Sequence, residues 1–237
     1  MKTKEILRTV NMVLAFGLIT YAIIFGLSAT LPYQGPTNGQ TSRNVFFHVP
    51  MWFAMMVMGY TSVVYSVKYL RKMNPRHDVL AREAAKMTVL FGVLGLLTGL
   101  VWSRVTWGQA LDSTDPVAWW PWEPKQTSAL ICVFIYLGYF LVRSSFTETV
   151  QRAKVSSVFN IFAAASIYPL LYVIPKVLPG LHPNTGGDES AIGTMSPGYY
   201  YIFWPAVLGF ILTSVWLLDV RGRIALVKHD LNTLDDE

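Results

Sequence analysis

The chain has 237 residues, of which 53% are hydrophobic and 14% charged. Water-soluble domains carry about 25% charged residues, so this composition excludes a soluble enzyme or soluble binding module and reads as an integral membrane protein. The formal charge of +5 comes from basic residues that flank apolar runs, with no long basic tract, which excludes nucleic acid as the expected partner.

Six apolar runs follow in chain order, each near the roughly 20 residues needed to cross hydrocarbon. Lipid offers backbone N–H and C=O groups no partner, so each run is expected to be a helix. The strict alternation of barrel strands is missing. The first run, about 9–31, follows Lys2, Lys4 and Arg8. Its apolar part exceeds the roughly 7–15 residues of a signal-peptide core, so it is expected to be a retained span. The second run, about 45–69, carries His48 at its entrance. The third covers about 87–107, and the fourth, about 127–142, holds the single cysteine, Cys132. The fifth, about 155–177, contains Pro169 and Pro175, two positions at which a helix can kink. The sixth covers about 199–218.

Lys and Arg placement sets the expected orientation. With the N-terminus inside, 15 of these residues fall on inner segments and only Arg43, Arg104, Lys125 and Lys176 on outer ones. Both termini are therefore expected in the cytoplasm, with outer connections at about 32–44, 108–126 and 178–198. The whole chain, 1–237, reads as one six-helix membrane domain. His77 is expected in an inner loop and His229 in a solvated tail. The acidic residues 235–237 read as a short solvated end.

The second outer connection carries Trp119-Trp120-Pro121-Trp122-Glu123-Pro124-Lys125. An indole wants burial for its ring and a partner for its N–H. Such a cluster at a membrane surface is either an interfacial aromatic belt or a platform for a flat, apolar ligand with polar edges. His48 and His182 fall on the same expected face. An ionisable side chain at the edge of hydrocarbon marks a candidate site. Imidazole ligates haem iron, and it also ligates zinc or copper. No third outer His or Cys completes a tetrahedral zinc site, whereas two axial imidazoles on a flat macrocycle need only two histidines. Arg43, Arg104 and Lys125 are placed to meet carboxylates such as haem propionates, with interfacial snorkelling as the bland alternative. Glu123 is expected to pair with Lys125 or to orient a histidine or an indole N–H. There is no Cys-x-x-Cys-His run for covalent haem attachment. There is also no Gly-x-x-x-x-Gly-Lys-Ser/Thr loop, so ATP binding of that kind is not expected.

These residues carry a family resemblance. Arg43 with His48-Val49-Pro50, Trp107-Gly108, Trp120-Pro121-Trp122-Glu123, Lys125, Thr127-Ser128-Ala129-Leu130, Tyr136-Leu137-Gly138-Tyr139 and His182 together resemble the CcmC family of haem-handling proteins in cytochrome c maturation. That family belongs to the wider group bearing a Trp-rich "WWD" domain. Two departures stand out: Glu123 where the family carries Asp, and an insert at about 109–118. The run Trp-Glu-Pro-Lys-Gln-Thr also resembles the larger CcsA-type haem-export and ligation proteins, whose extra spans this chain lacks.

The resemblance implies a bacterial inner-membrane protein whose working face is periplasmic. It implies haem b, bound transiently, with His48 and His182 as axial ligands of the iron. Trp107, Trp119, Trp120 and Trp122 would form the platform, with Glu123, Arg43, Arg104 and Lys125 around it. It further implies delivery to a CcmE-like haem chaperone beside a CcmA/CcmB-like ABC transporter. Such a chain is an assembly protein rather than an enzyme. A competing class is a b-type membrane cytochrome subunit passing electrons to quinol. Such proteins hold haem between histidines inside the bundle, whereas these two are expected at one surface.

Overall fold

The computed structural model describes residues 2–29, 41–107, 119–182, 195 and 197–235. Gly108, the insert at 109–118, Pro183 and most of the first and third connections lie outside the described residues. Every regular element among the described residues is helical. The helices are α1 Lys2–Ser28, α2 Val45–Lys72, α3 Pro75–Trp107, α4 Pro124–Ser144, α5 Thr149–Ala165, α6 Ile174–Val177 and α7 Pro197–Asp235. A π turn, Pro169–Val173, links α5 to the single turn of α6, and together they form one membrane-length unit, Thr149–Val177. Counted so, six helical segments are long and apolar enough to cross a membrane, as the apolar runs predict. The prolines explain the break: Pro169 lacks the N–H that an α-turn needs, and Pro175 follows within two turns.

Several helices outrun their apolar windows. α7 has 39 residues, a length of about 58 Å at about 1.5 Å per residue, against roughly 30 Å of hydrocarbon. The regions expected as an inner loop around His77 and a tail around His229 are both helical, within α3 and α7. Paired charges accompany these extensions. Arg8 meets Asp219 at 3.1 Å, tying α1 to α7, and Arg76 donates through Nη1 to both carboxylate oxygens of Asp230, at 2.9 and 2.8 Å. Glu83 is 2% exposed and accepts from Lys86 at 2.6 Å, Arg82 at 3.2 Å and Arg221 at 3.2 Å. Charges spaced along a helix lower the hydropathy of a window, but they do not end the helix when each meets an opposite charge.

The turn between α2 and α3 is short because Met73 adopts a left-handed conformation, φ 50°, and its N–H closes onto the Tyr69 carbonyl at 2.7 Å. The core lies where α2, α3, α4 and α5 meet. It holds Met55, Phe91, Cys132, Tyr136, Tyr139 and Ile167, with Ala54, Ala85, Ala163 and Ala164 allowing close backbone approach. Asn160 bridges α5 to α2 within this core. It donates to Ser66 at 2.9 Å and accepts from Ser62 at 3.0 Å. α1 packs mainly on α7, at the edge of the bundle.

The residue that precedes α5 lies outside the membrane-length segments. This N-cap, Glu148, accepts from the backbone N–H of Val150 at 2.7 Å and from that of Gln151. Those two N–H groups hold the Glu148 carboxyl below the usual carboxylate range. A depressed pKa in the folded state stabilises the fold above the ordinary glutamate value and is lost as pH falls through the folded value. Glu148→Gln is therefore expected to flatten the acid side of a stability-versus-pH curve, measured by thermal unfolding in detergent.

Candidate functional site

One end of the bundle gathers the start of α2, the end of α3, the 119–123 segment leading into α4, and residues 178–182 beyond α6. α2 opens after a 3-10 turn, Thr41–Asn44, whose Asn44 amide donates to the Thr98 carbonyl of α3 at 3.1 Å. That bond fixes the first turn of α2 against the last turns of α3. His48 then lies across α3 and meets Thr98 through Nδ1, 3.1 Å from the Thr98 Oγ1. A methyl group at Gly99 would stand 2.8 Å from His48 Cε1, so only glycine leaves room for the ring. Gly99→Ala is expected to push the imidazole out of its seat. The ring-nitrogen resonances of His48 in 15N-histidine-labelled protein, compared with those of the unaltered chain, check this displacement.

The second imidazole arrives from the far side. His182 stands with its ring centre 6.4 Å from that of His48, the two rings inclined by 37°. Two indoles of α3 flank it, Trp102 at 5.7 Å and Trp107 at 6.0 Å, themselves edge-to-face at 5.1 Å. Trp107 is 8% exposed and ends α3.

The Trp-rich run is ordered by the start of α4. Glu123 is the N-cap and accepts from the Gln126 N–H at 2.8 Å, with Pro124 at the first helical position. It is 3% exposed and lies against residues near His182: a methyl at Gly180 would come within 2.5 Å of Glu123 Oε1. The acid thus caps a helix and packs against the 178–182 segment, which the sequence reading did not anticipate. Trp122 adopts φ 52° and is 70% exposed. It stands edge-to-face with Trp120 at 6.2 Å, and the Trp120 indole N–H is buried without a hydrogen-bond partner. Arg104 lies over the Trp119 ring at 5.7 Å. Arg43 donates through Nε to the Ala29 carbonyl at 2.8 Å, which leaves its other guanidinium N–H groups for further contacts. Lys125 is half-buried at the second position of α4.

Sequence reasoning passed over Trp52, Thr98 and Trp102. A helical signal was present: Trp52 follows His48 by one turn, and Thr98 precedes Trp102 by one turn. Among the described residues no group of three or more His, Cys, Asp or Glu could hold a bare metal ion, so the donor set is two imidazoles framed by indoles.

A multi-pass helical membrane protein with two imidazoles and a cluster of indoles converging at one end is the class that fold and site define. The chain belongs to the CcmC family, heme exporter protein C, whose model matches residues 1–236. It is 27% identical over 209 residues to the heme exporter protein C of Paracoccus denitrificans, covering 83% of this chain and 78% of that protein. The protein of that name from Haemophilus influenzae is 29% identical over 221 residues, 90% of this chain and 82% of the relative. Escherichia coli K12 has one that is 22% identical over 216 residues, 87% and 78% of the two chains.

Proposed function

We propose that this protein handles haem in cytochrome c maturation, holding haem b between His48 and His182 at the end of the bundle where α2 begins. The observation that carries the reading is the spacing of the two imidazoles. A metal–imidazole bond is about 2 Å long and the ring centre lies about 1 Å further, so two rings clamping one metal stand roughly 6 Å apart. Their centres are 6.4 Å apart here. The donor chemistry also fits, because neutral imidazoles suit haem iron and flanking indoles suit a flat apolar ring. Family membership supports the same cargo, since the relatives' name specifies heme export.

Each part of the chain then has a task. α2 and α6 with its following segment present the two ligands from opposite sides. Trp102 and Trp107 fence the iron from water, and Trp119, Trp120 and Trp122 extend the apolar surface outward. Arg43, Arg104 and Lys125 offer cations to the propionates. The two imidazoles would supply the bonds to iron, and the indoles and cations would orient the macrocycle between them. The Lys and Arg asymmetry supports a site on the periplasmic face of a bacterial inner membrane. From there haem passes to a periplasmic chaperone of the CcmE kind, with a CcmAB-type ABC transporter as the ATP-using partner. The chain is a delivery protein and not an enzyme.

Haem b added to the purified protein should give a six-coordinate, low-spin spectrum, and the haem should move to added CcmE-type apo-chaperone. A high-spin, five-coordinate spectrum would reject the two-imidazole clamp. Retention of all the haem would reject delivery.

A further inference from the structure

His48 has a second claimant on its ligating nitrogen. The Trp52 indole N–H donates to His48 Nε2 at 3.3 Å. Indole can only donate, so Nε2 must be the bare, accepting nitrogen. The ring proton of the neutral imidazole therefore sits on Nδ1 and is donated to Thr98 Oγ1 at 3.1 Å. The Thr98 hydroxyl is free to accept, because its own hydrogen points to the Leu94 and Gly95 carbonyls, at 2.9 and 3.0 Å. This chain of bonds presents one lone pair at Nε2 and covers it with one indole N–H.

The seat for both rings is built into α3. Gly95 and Gly99 are one turn apart, as are His48 and Trp52 on α2. A methyl at Gly95 would stand 2.7 Å from Trp52 Cε2 and 3.1 Å from Trp52 Nε1. The indole comes this close to the α3 backbone only because that methyl is missing.

We propose that Trp52 is a displaceable cap on His48 that competes with haem iron for Nε2 and so keeps haem binding reversible, while Thr98 fixes the tautomer that makes Nε2 the ligating atom. This rests on the assignment of His48 as an iron ligand. When haem binds, the Trp52 N–H···Nε2 bond breaks and an iron–Nε2 bond forms with the same lone pair. No proton is gained or lost, because Nδ1 keeps its hydrogen and its bond to Thr98. When haem leaves, the indole re-covers the nitrogen, so departure leaves no exposed lone pair behind. Trp52 and Thr98 are positioning residues in this scheme, and neither touches the iron.

Trp52→Phe keeps an aromatic ring and removes the competing N–H. The net worth of an ordinary hydrogen bond then predicts haem b binding about 2- to 12-fold tighter, with release slowed by a similar factor. Full-length protein in detergent is titrated with haem b, and release is followed by capture with excess apomyoglobin. Gly95→Ala, which drives the indole from its seat, is expected to act in the same direction. A third readout needs no haem. In 15N-histidine-labelled protein, Trp52→Phe should move the His48 Nε2 resonance to that of a ring nitrogen without a hydrogen bond. Unchanged or weaker haem binding by both variants, or an unmoved Nε2 resonance, overturns the cap. The two possible failures separate cleanly. If the wild-type spectrum is low-spin and lost in His48→Ala, yet Trp52→Phe changes nothing, only the cap fails. If His48→Ala leaves the wild-type spectrum intact, the ligand assignment fails and the cap falls with it.

Discussion

Replacing His48 or His182 by alanine is expected to convert the low-spin haem spectrum to a high-spin one and to weaken haem binding on the order of 100-fold or more. Loss of a group that merely orients a metal ligand already costs about 10–100-fold, so loss of the ligand itself should exceed that range. The double variant should bind haem no better than detergent micelles do. Each single variant leaves one imidazole, so added free imidazole should restore the low-spin bands by filling the vacated position. Stability should change little, since both side chains are only half-buried at the mouth of the bundle. Unchanged spectra in both variants would remove the two residues from the ligand set. Recovery by free imidazole in one variant and not the other would identify which side of the haem the solvent reaches.

The second large effect is at the opposite end of the bundle and concerns stability. Arg143 of α4 forks onto Asp78 of α3, Nη1 meeting Oδ1 at 2.7 Å and Nη2 meeting Oδ2 at 2.5 Å. The two side chains are only 9% and 12% exposed. Removing one partner leaves the other charge buried and unpaired, which typically costs about 3–5 kcal/mol. Asp78→Ala and Arg143→Ala should each lose that much in equilibrium unfolding from mixed micelles. The double replacement Asp78→Leu with Arg143→Met should recover most of it, because a buried pair repays little beyond the cost of removing its charges from water. Haem spectra of folded double variant should match wild type, because the pair and the imidazoles stand at opposite ends of α3. Single variants that stay within about 1 kcal/mol of wild type would show that water reaches the pair freely. By contrast, the exposed Arg76–Asp230 pair should be worth little by the same measurement.

Part of the candidate site was legible before any tertiary information. His48 at a span entrance is unusual enough to notice, and His182 shares its expected face. The indoles of the 119–122 run are equally conspicuous in sequence. Yet the two indoles placed beside His182 are Trp102 and Trp107, one of them inside an apolar run where a tryptophan attracts no attention. Glu123 reads in sequence as a partner for Lys125 or as an acid that orients a histidine or an indole N–H. In three dimensions its first task is to cap α4, a role that the neighbouring Pro124 signals by its preference for the first helical position. The helix ends were misjudged for a related reason. Hydropathy reports one residue at a time, whereas Arg8, Glu83 and Arg76 continue their helices because partners on α7 meet them.

The amino-acid sequence alone determined that the chain lives in a membrane and that its backbone forms six spans. It also determined that cations crowd one set of connections while aromatics and histidines crowd the other. Those properties are sums over local residues, set by transfer of side chains and backbone between water and lipid. Only the tertiary structure decided that the His48 and His182 ring centres stand 6.4 Å apart, that Gly95 and Gly99 seat Trp52 and His48, and that His48 Nδ1 meets the Thr98 hydroxyl. These relations join residues on different helices, and they depend on how α2 docks against α3 and on where the chain beyond α6 returns. Periodicity along one helix carries no information about that register, because it is set by the packing of side chains that are distant in sequence.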